Sequence, residues 1–358
     1  LTLVLAVAGL AALVCGAELL VRGASRLAVS FGVSPLVVGL TVVAFGTSAP
    51  EAAVSVQSAF AGSSDIGLGN VVGSNILNVL LVLGLSAAIM PLVVSAQLVR
   101  RDVPVMVGVS VLLLLLALNG AIGRLDGALL LAGLALYTGY SVHRSRRYGG
   151  GEDEASGAGT ASGRSKILQA VYVVAGLGLL VLGARWLVDG AVTVAEALGL
   201  SELIVGLTVV ALGTSLPEVA TSVVAAARGS RDIAVGNIVG SCIFNILFVL
   251  GLAGLVAPDG ISVSRAALGF DLPVMIATAV ACLPIFFTGW RVARWEGFLF
   301  LGYYVAYTLY LILNATEHEA LPVFSAVMLI FVVPLTAVTL VVLAARAYRR
   351  ERPKKHGR

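Results

Sequence analysis

Residues 38–87 recur at 205–254, offset by 167 positions and without a gap, with 32 of the 50 aligned residues identical. A shared lipid environment produces similar hydropathy, but not identity at this level, so the chain contains a duplication. Flanking similarity widens the unit. Gly16 matches Gly183, and "DVPVM" at 102–106 resembles "DLPVM" at 271–275. The repeated unit holds five apolar spans. An odd number forces the second copy to enter the membrane from the opposite side to the first. Inverted repeats of this kind are a signature of secondary transporters, whose sites lie at the midplane on interrupted helices.

The chain is 59% apolar and 12% charged, with mean hydropathy +1.03. That balance belongs to a multi-span membrane protein. Its apolar runs suit a hydrocarbon core about 30 Å thick. Eleven spans are expected, at 1–21, 33–60, 67–91, 103–119, 125–142, 167–188, 200–227, 234–257, 272–290, 296–314 and 321–345. The expected fold is all-α and polytopic. Residues 1–142 form one five-helix repeat and 167–314 the second, inverted one. Residues 143–166, rich in Gly, Ser and charge, form a flexible linker. Residues 315–358 add an eleventh helix, read as a peripheral anchor, and a basic tail. The first segment lacks a basic leader and a clear cleavage site, so it reads as a retained span and not a signal peptide.

With the N-terminus outside, 20 of the 23 basic residues fall in inner connections, including the linker, or in the C-terminal tail. Only Arg124, Arg185 and Arg265 fall outside or near the outer end of a span. The positive-inside rule therefore puts the linker and C-terminus in the cytoplasm of a cell whose inner (plasma) membrane holds the protein. The net charge of +4 is a topology signal and does not point to nucleic acid. Cys15, Cys242 and Cys282 all fall in apolar segments without a CxxC pattern, and are read as buried small hydrophobes.

Each copy carries two polar motifs in apolar surroundings. The first is Gly46-Thr47-Ser48-Ala49-Pro50-Glu51, matched by Gly213-Thr214-Ser215-Leu216-Pro217-Glu218. The second is Gly69-Asn70, Gly73-Ser74-Asn75 and Asn78, matched by Gly236-Asn237, Gly240-Ser241-Cys242 and Asn245. Pro50 and Pro217 lack an N–H, so carbonyls near Gly46 and Gly213 lose their helical partners. In lipid an orphan carbonyl is costly unless something satisfies it, and a cation can. Thr47, Ser48 and Glu51 lie within four residues and can converge. Asn70, Ser74 and Asn78 line one helical stripe. The four motif glycines read as close-packing residues. Glu18 has no matching acid, because its counterpart is Arg185. Asp102 and Asp271 read as helix-end or interfacial residues.

Face to face, the two copies place two carboxylates among hydroxyls, amides and freed carbonyls. That is an all-oxygen cage of charge −2, the ligand chemistry of hard cations such as Ca²⁺. No Lys, Arg or His stands in the motif cores. Several Na⁺ ions can occupy the same oxygens in place of Ca²⁺. Competition for one cage is a physical basis for exchange, if an empty charged cage does not reorient. A carboxylate can also carry a proton, which leaves Ca²⁺/H⁺ antiport open. An intramembrane protease using two acids fits the surrounding ligands less well, and a cage that grips Ca²⁺ makes a poor channel. No enzyme activity, cofactor or obligate protein partner is expected. The substrates are Ca²⁺ and Na⁺, and the solvent is the bilayer.

The paired "GTSAPE…GNVVGSNILN" and "GTSLPE…GNIVGSCIFN" resemble the two alpha-repeats of the cation/Ca²⁺ exchanger superfamily, most of all the bacterial sodium/calcium antiporters. The resemblance covers spans one to ten. It implies ten helices in two inverted halves, and a central Ca²⁺ site at Glu51 and Glu218 with carbonyls of Thr47 and Thr214. It implies flanking Na⁺ sites at Ala44, Ser48 and Ser74, and at Ala211, Ser215 and Ser241. It also implies that helices one and six move as a pair, carrying Gly16 and Gly183. There are departures. Asn245 stands where many family members carry Asp, so Asn78 and Asn245 are both amides, and Cys242 stands opposite Asn75 in the repeat.

Overall fold

The computed structural model describes residues 2–61, 64–148, 163–197 and 211–351. Helix dominates, because lipid offers backbone amides no partner outside the segment itself. In the first half the helices are α1 (Thr2–Phe31), α2 (Pro35–Thr47), α3 (Ala49–Phe60), α4 (Ile66–Ile89), α5 (Val103–Ala117) and α6 (Arg124–Tyr148). In the second they are α7 (Gly163–Ala197), α8 (Leu216–Ala227), α9 (Arg231–Val256), α10 (Leu272–Phe287) and α11 (Arg294–Ala315), followed by α12 (Leu321–Arg346). Among the described residues eight helices are long and apolar enough to cross a membrane, or nine when α2 and α3, bent by 45°, count as one span. The other two expected spans are α5, with 15 residues, and α8, the second part of the span expected over 200–227. Residues 198–210, the rest of that span, lie outside the described residues.

Three expectations need correction. α1 runs on past residue 21 to Phe31, because nothing breaks it before Gly32, whose φ of 63° ends the helix. The linker is shorter than 143–166. α6 continues to Tyr148, with Arg146 and Arg147 in its last turn facing the negative end of the helix dipole, and α7 already begins at Gly163. Residues 149–162 between them lie outside the described residues. Cys15 is exposed on the outer face of α1, whereas Cys242 and Cys282 are buried.

Four short strands reveal the inversion. β1 (Leu92–Val93), between α4 and α5, pairs antiparallel with β4 (Arg291–Val292), between α10 and α11. β2 (Ala121–Ile122), between α5 and α6, pairs with β3 (Ile261–Ser262), between α9 and α10. By the repeat, β1 is equivalent to β3 and β2 to β4. The loop after the third helix of one half thus meets the loop before the fifth helix of the other, at the same end of the bundle. Within one half these two loops lie at opposite ends, so they can meet only if the halves are inverted.

Glycines bring the halves close. A Cβ on Gly297 of α11 would stand 2.6 Å from the Gly84 carbonyl of α4, and a Cβ on Gly127 of α6 would stand 2.6 Å from the Gly251 carbonyl of α9. The antiparallel α1–α7 pair has the same character. Gly9 lies against Gly183 and Gly16 against Gly176, with a Cβ on Gly9 or Gly16 falling 2.8 Å from the opposing carbonyl. Gly16 and Gly183 are therefore equivalent rungs and do not face each other. Gly236 and Gly240 pack on the Leu36 and Leu40 carbonyls as the close-packing reading expects, whereas a Cβ on Gly69 or Gly73 would meet nothing among the described residues. Helices α4 and α9 are the most buried of the long helices, and α11 and α12 the least. α12 lies on the periphery, held in part by the Tyr303 hydroxyl donating to Thr336 Oγ1 at 2.7 Å.

Candidate functional site

The helix breaks position the acids. Between α2 and α3, Ser48 has φ −81° and ψ 6°; before α8, Ser215 has φ −92° and ψ 4°. Pro50 and Pro217 sit in the first turn of the following helices, where a missing N–H costs nothing. Glu51 and Glu218 occupy those same first turns, the end of a helix that favours negative charge. Both residues are fully buried, as are Thr47, Ser48, Ser215, Ser241, Asn78 and Asn245, and Ser74 is nearly so.

The two halves then exchange hydrogen bonds. Ser215 Oγ donates to Glu51 Oε1 at 2.9 Å, and Ser48 Oγ donates to Glu218 Oε1 at 3.3 Å. Thr214 also faces the Glu51 carboxylate, and Thr47 and Ser241 face that of Glu218. Thr47 Oγ1 donates to Asn237 Oδ1 at 3.1 Å, and Thr214 Oγ1 to Asn70 Oδ1 at 3.4 Å. Behind these, Asn237 Nδ2 donates to Ser222 Oγ at 3.0 Å, and Asn70 Nδ2 to Ser55 Oγ at 3.1 Å. Asn70 Nδ2 also lies 3.2 Å from the Glu51 carbonyl. The hydroxyls of Ser215 and Ser74 are 3.1 Å apart, and those of Thr47 and Ser241 3.4 Å. Asn70 and Asn237, which the motif reading already placed in the second motif, hold the threonines, and Ser55 and Ser222 behind them are residues that reading leaves without a role. The available signal is spacing: each of these serines stands four residues after its glutamate, on the same helical face.

Because Ser215 serves Glu51 and Ser48 serves Glu218, the two acids are brought to one centre between the halves. Among the described residues each keeps its Oε2 buried without a partner, and Asn78 Oδ1 and Asn245 Oδ1 are unpartnered too. Asn78 and Asn245 each begin a π-helical stretch, Asn78–Leu83 and Asn245–Leu250, a distortion frequent at functional sites. No group of three or more His, Cys, Asp or Glu able to hold a metal occurs among the described residues. A cation at this centre therefore meets two carboxylates plus neutral oxygens, the ligand type hard cations accept.

Of the residues singled out from sequence, the structure gathers Thr47, Ser48, Glu51 and Ser74 with Thr214, Ser215, Glu218 and Ser241 through the contacts above. Asn245 and Asn78 are buried but are not bonded into this group among the described residues: Asn245 Nδ2 donates instead to Asn75 Oδ1 at 3.3 Å, and neither polar atom of the Asn78 side chain has a partner. Ala44 is buried at the break, where its carbonyl accepts the Ser48 N–H at 3.0 Å. Ala211 begins the short helix Ala211–Gly213, and its side chain lies outside the described residues. Asp102 is not merely a helix-end group: it is buried and accepts from the Tyr137 hydroxyl at 3.3 Å. Asp271, only partly buried, accepts likewise from the Tyr307 hydroxyl at 3.4 Å.

A family model described as "Sodium/calcium exchanger protein" matches residues 1–143 and 168–313. The chain belongs to the sodium/calcium exchanger family. The match spans both halves and ends before α12. Two relatives illustrate the kinship. The putative antiporter CaxA of Alkalimonas amylolytica is 41% identical over 278 residues, covering 77% of this chain and 86% of that protein. The sodium/calcium exchanger MaX1 of Methanosarcina acetivorans is 34% identical over 352 residues, covering 85% and 96%. A solved structure of the sodium-calcium exchanger NCX_Mj, soaked with zero Na⁺ and Ca²⁺, superposes with a TM-score of 0.73 at 30% identity, covering 85% of this chain and 96% of that one.

Proposed function

We propose that this exchanger-family protein is a secondary antiporter that moves Ca²⁺ against Na⁺ by alternating access. One observation carries the reading. Two buried carboxylates from inverted halves, Glu51 and Glu218, each accept from the serine at the other half's helix break, and each keeps one oxygen unpartnered among the described residues. A Ca²⁺ between them neutralises both. Na⁺ ions on the same oxygens do so in its absence, so an ion-loaded cage can reorient while an empty, doubly charged one is held back by the cost of uncompensated charge in low dielectric.

In this proposal Glu51, Glu218 and the Thr47 and Thr214 carbonyls hold Ca²⁺. Na⁺ is held on one side by Ala44, Ser48 and Ser74, and on the other by Ala211, Ser215 and Ser241. Asn78 and Asn245 supply neutral amide oxygens. The distribution of basic residues orients the N-terminus outside and the linker and C-terminus in the cytoplasm of a plasma membrane.

The test is Ca²⁺ uptake into proteoliposomes with the driving ion exchanged. A Na⁺ gradient is expected to drive ⁴⁵Ca²⁺ uptake, and Glu51→Gln or Glu218→Gln to abolish it. Uptake driven by a pH gradient and indifferent to Na⁺ would assign H⁺ as the coupling ion. Wild-type flux in either glutamine variant would refute the site.

A further inference from the structure

This inference rests on the antiport reading, because it concerns which end of the bundle is closed. α8 packs along α1 and also meets α7, whereas its counterpart α3 packs against neither to a similar degree. An undisplaced two-fold arrangement would make these contacts equal. The α1–α7 pair is therefore displaced towards α8. On the other side, a cavity of about 480 Å³ lies between α7 and the α2–α3 break, lined by Phe45, Ala49, Leu177, Val181 and Arg185 among others. Because the halves are duplicates, the two-fold mate of this arrangement, with α7 along α3, uses equivalent surfaces. It is the natural second state of a carrier built from inverted repeats.

The two states are not equal in charge. Glu18 on α1 is ion-paired with Arg228, the residue that ends α8, and with Arg22, one turn along α1. Its side chain is only 20% exposed. The shift of 167 turns Glu18 into Arg185, Arg22 into Asp189 and Arg228 into Ala61. Among the described residues Arg185 has an ion pair only with Asp189, at 4.0 Å on its own helix, and Ala61 cannot pair at all. The α1–α8 contact thus carries an inter-helix ion pair that the α7–α3 contact cannot form.

We infer that Glu18 and Arg228 are positioning residues, whose pair stabilises the state in which α1 lies along α8 and so sets the resting balance between the two access states. A ligand or pair present in only one state shifts a two-state equilibrium by its differential strength. For a partly exposed ion pair that is about two- to five-fold.

Cysteine pairs placed off the bridge report the two states. Val21 and Val224 both line a cavity of about 260 Å³ beside Glu18, and their repeat equivalents are Val188 and Gln57. Each pair is introduced into the full chain in a Cys15→Ala background and crosslinked with a short bis-thiol reagent in vesicles. Glu18→Gln or Arg228→Gln is expected to lower the 21–224 yield relative to the 57–188 yield by about two- to five-fold. Reversing the whole set, Glu18→Arg with Arg228→Glu and Arg22→Glu, is expected to restore the ratio, since the reversed arginine then keeps both of its partners. A bridge rebuilt at the other end, Ala61→Arg with Arg185→Glu, is expected to move the ratio in the same direction as Glu18→Gln. An unchanged ratio in Glu18→Gln, or a reversed set no better than the single variants, overturns the inference. The ratio is read without ion flux. A chain that shows the shift but exchanges no cations counts against the transport reading, while one that exchanges normally with no shift counts against the bridge.

Discussion

The chain of hydrogen bonds Thr47–Asn237–Ser222, at 3.1 and 3.0 Å, has its duplicate in Thr214–Asn70–Ser55, at 3.4 and 3.1 Å. The Glu18–Arg228 pair has as its repeat equivalent Arg185 opposite Ala61, which form no bond. The centre of the bundle is symmetric in chemistry and its ends are not. On the proposed reading, a cation at the centre would meet matched ligands from both halves, whichever way the carrier faces. The ends meet different compartments, and nothing requires their side chains to match. A third region is intermediate. Asn75 accepts from Asn245 at 3.3 Å, but its equivalent is Cys242, whose thiol points at the Asn75 carbonyl at 3.9 Å.

The sharpest way to break this comparison is to make the centre unequal. Glu51→Gln and Glu218→Gln are each expected to cut Ca²⁺ flux in proteoliposomes by at least about 100-fold, since removing one member of a buried charge set costs about 3 kcal/mol or more. Matched roles predict that the two variants lose activity to a similar extent. A severe loss in one and a mild loss in the other would show that the centre is functionally lopsided.

The α1–α7 interface comes next. Gly16→Val and its equivalent Gly183→Val place side-chain carbons against the backbone of Gly176 and Gly9 respectively. Overpacking of this kind costs about 1–3 kcal/mol. Both variants are expected to lower the melting temperature in detergent and to slow turnover together. Wild-type melting in both would show that the helices separate without strain.

Smaller effects are expected behind the carboxylates. Asn70→Ala and Asn237→Ala each remove an orienting amide, worth about 0.5–1.5 kcal/mol for a neutral hydrogen bond. Apparent Ca²⁺ affinity is expected to fall by about two- to twelve-fold in each, with a tracer-competition titration as the measurement. Asn75→Cys removes the one amide pair without a symmetric equivalent, and sits at the low end of the same range. If Asn75→Cys costs more than Asn237→Ala, the asymmetric contact matters more to ion binding than the symmetric ones.

Much of this architecture was legible in the sequence. The gapless repeat with an odd number of spans dictated inversion, because a five-helix unit exits on the side opposite to its entry. The proline after each Thr-Ser pair marked the helix breaks at Ser48 and Ser215, because a missing N–H and a ring clash are local effects. The stripe through Ser74 and Asn78, and through Ser241 and Asn245, followed from helical spacing alone. Pattern also found both glutamates, since a carboxylate in an apolar run with a partner at the equivalent place has few structural uses.

Only the tertiary structure decided which partners those residues take. That Ser215 serves Glu51 and Ser48 serves Glu218 across the interface depends on how two inverted halves interlock, and no local spacing encodes a contact between positions more than 160 residues apart. The same holds for the glycine register of α1 on α7, where Gly16 meets Gly176 and misses its own equivalent, Gly183. It holds too for the burial of Asp102 beneath Tyr137, and for the pairing of Glu18 with Arg228. Covalent order sets helices, breaks and the direction of each span through short-range sterics and hydropathy. Which side chains meet at the midplane is set by packing, which joins distant parts of the chain.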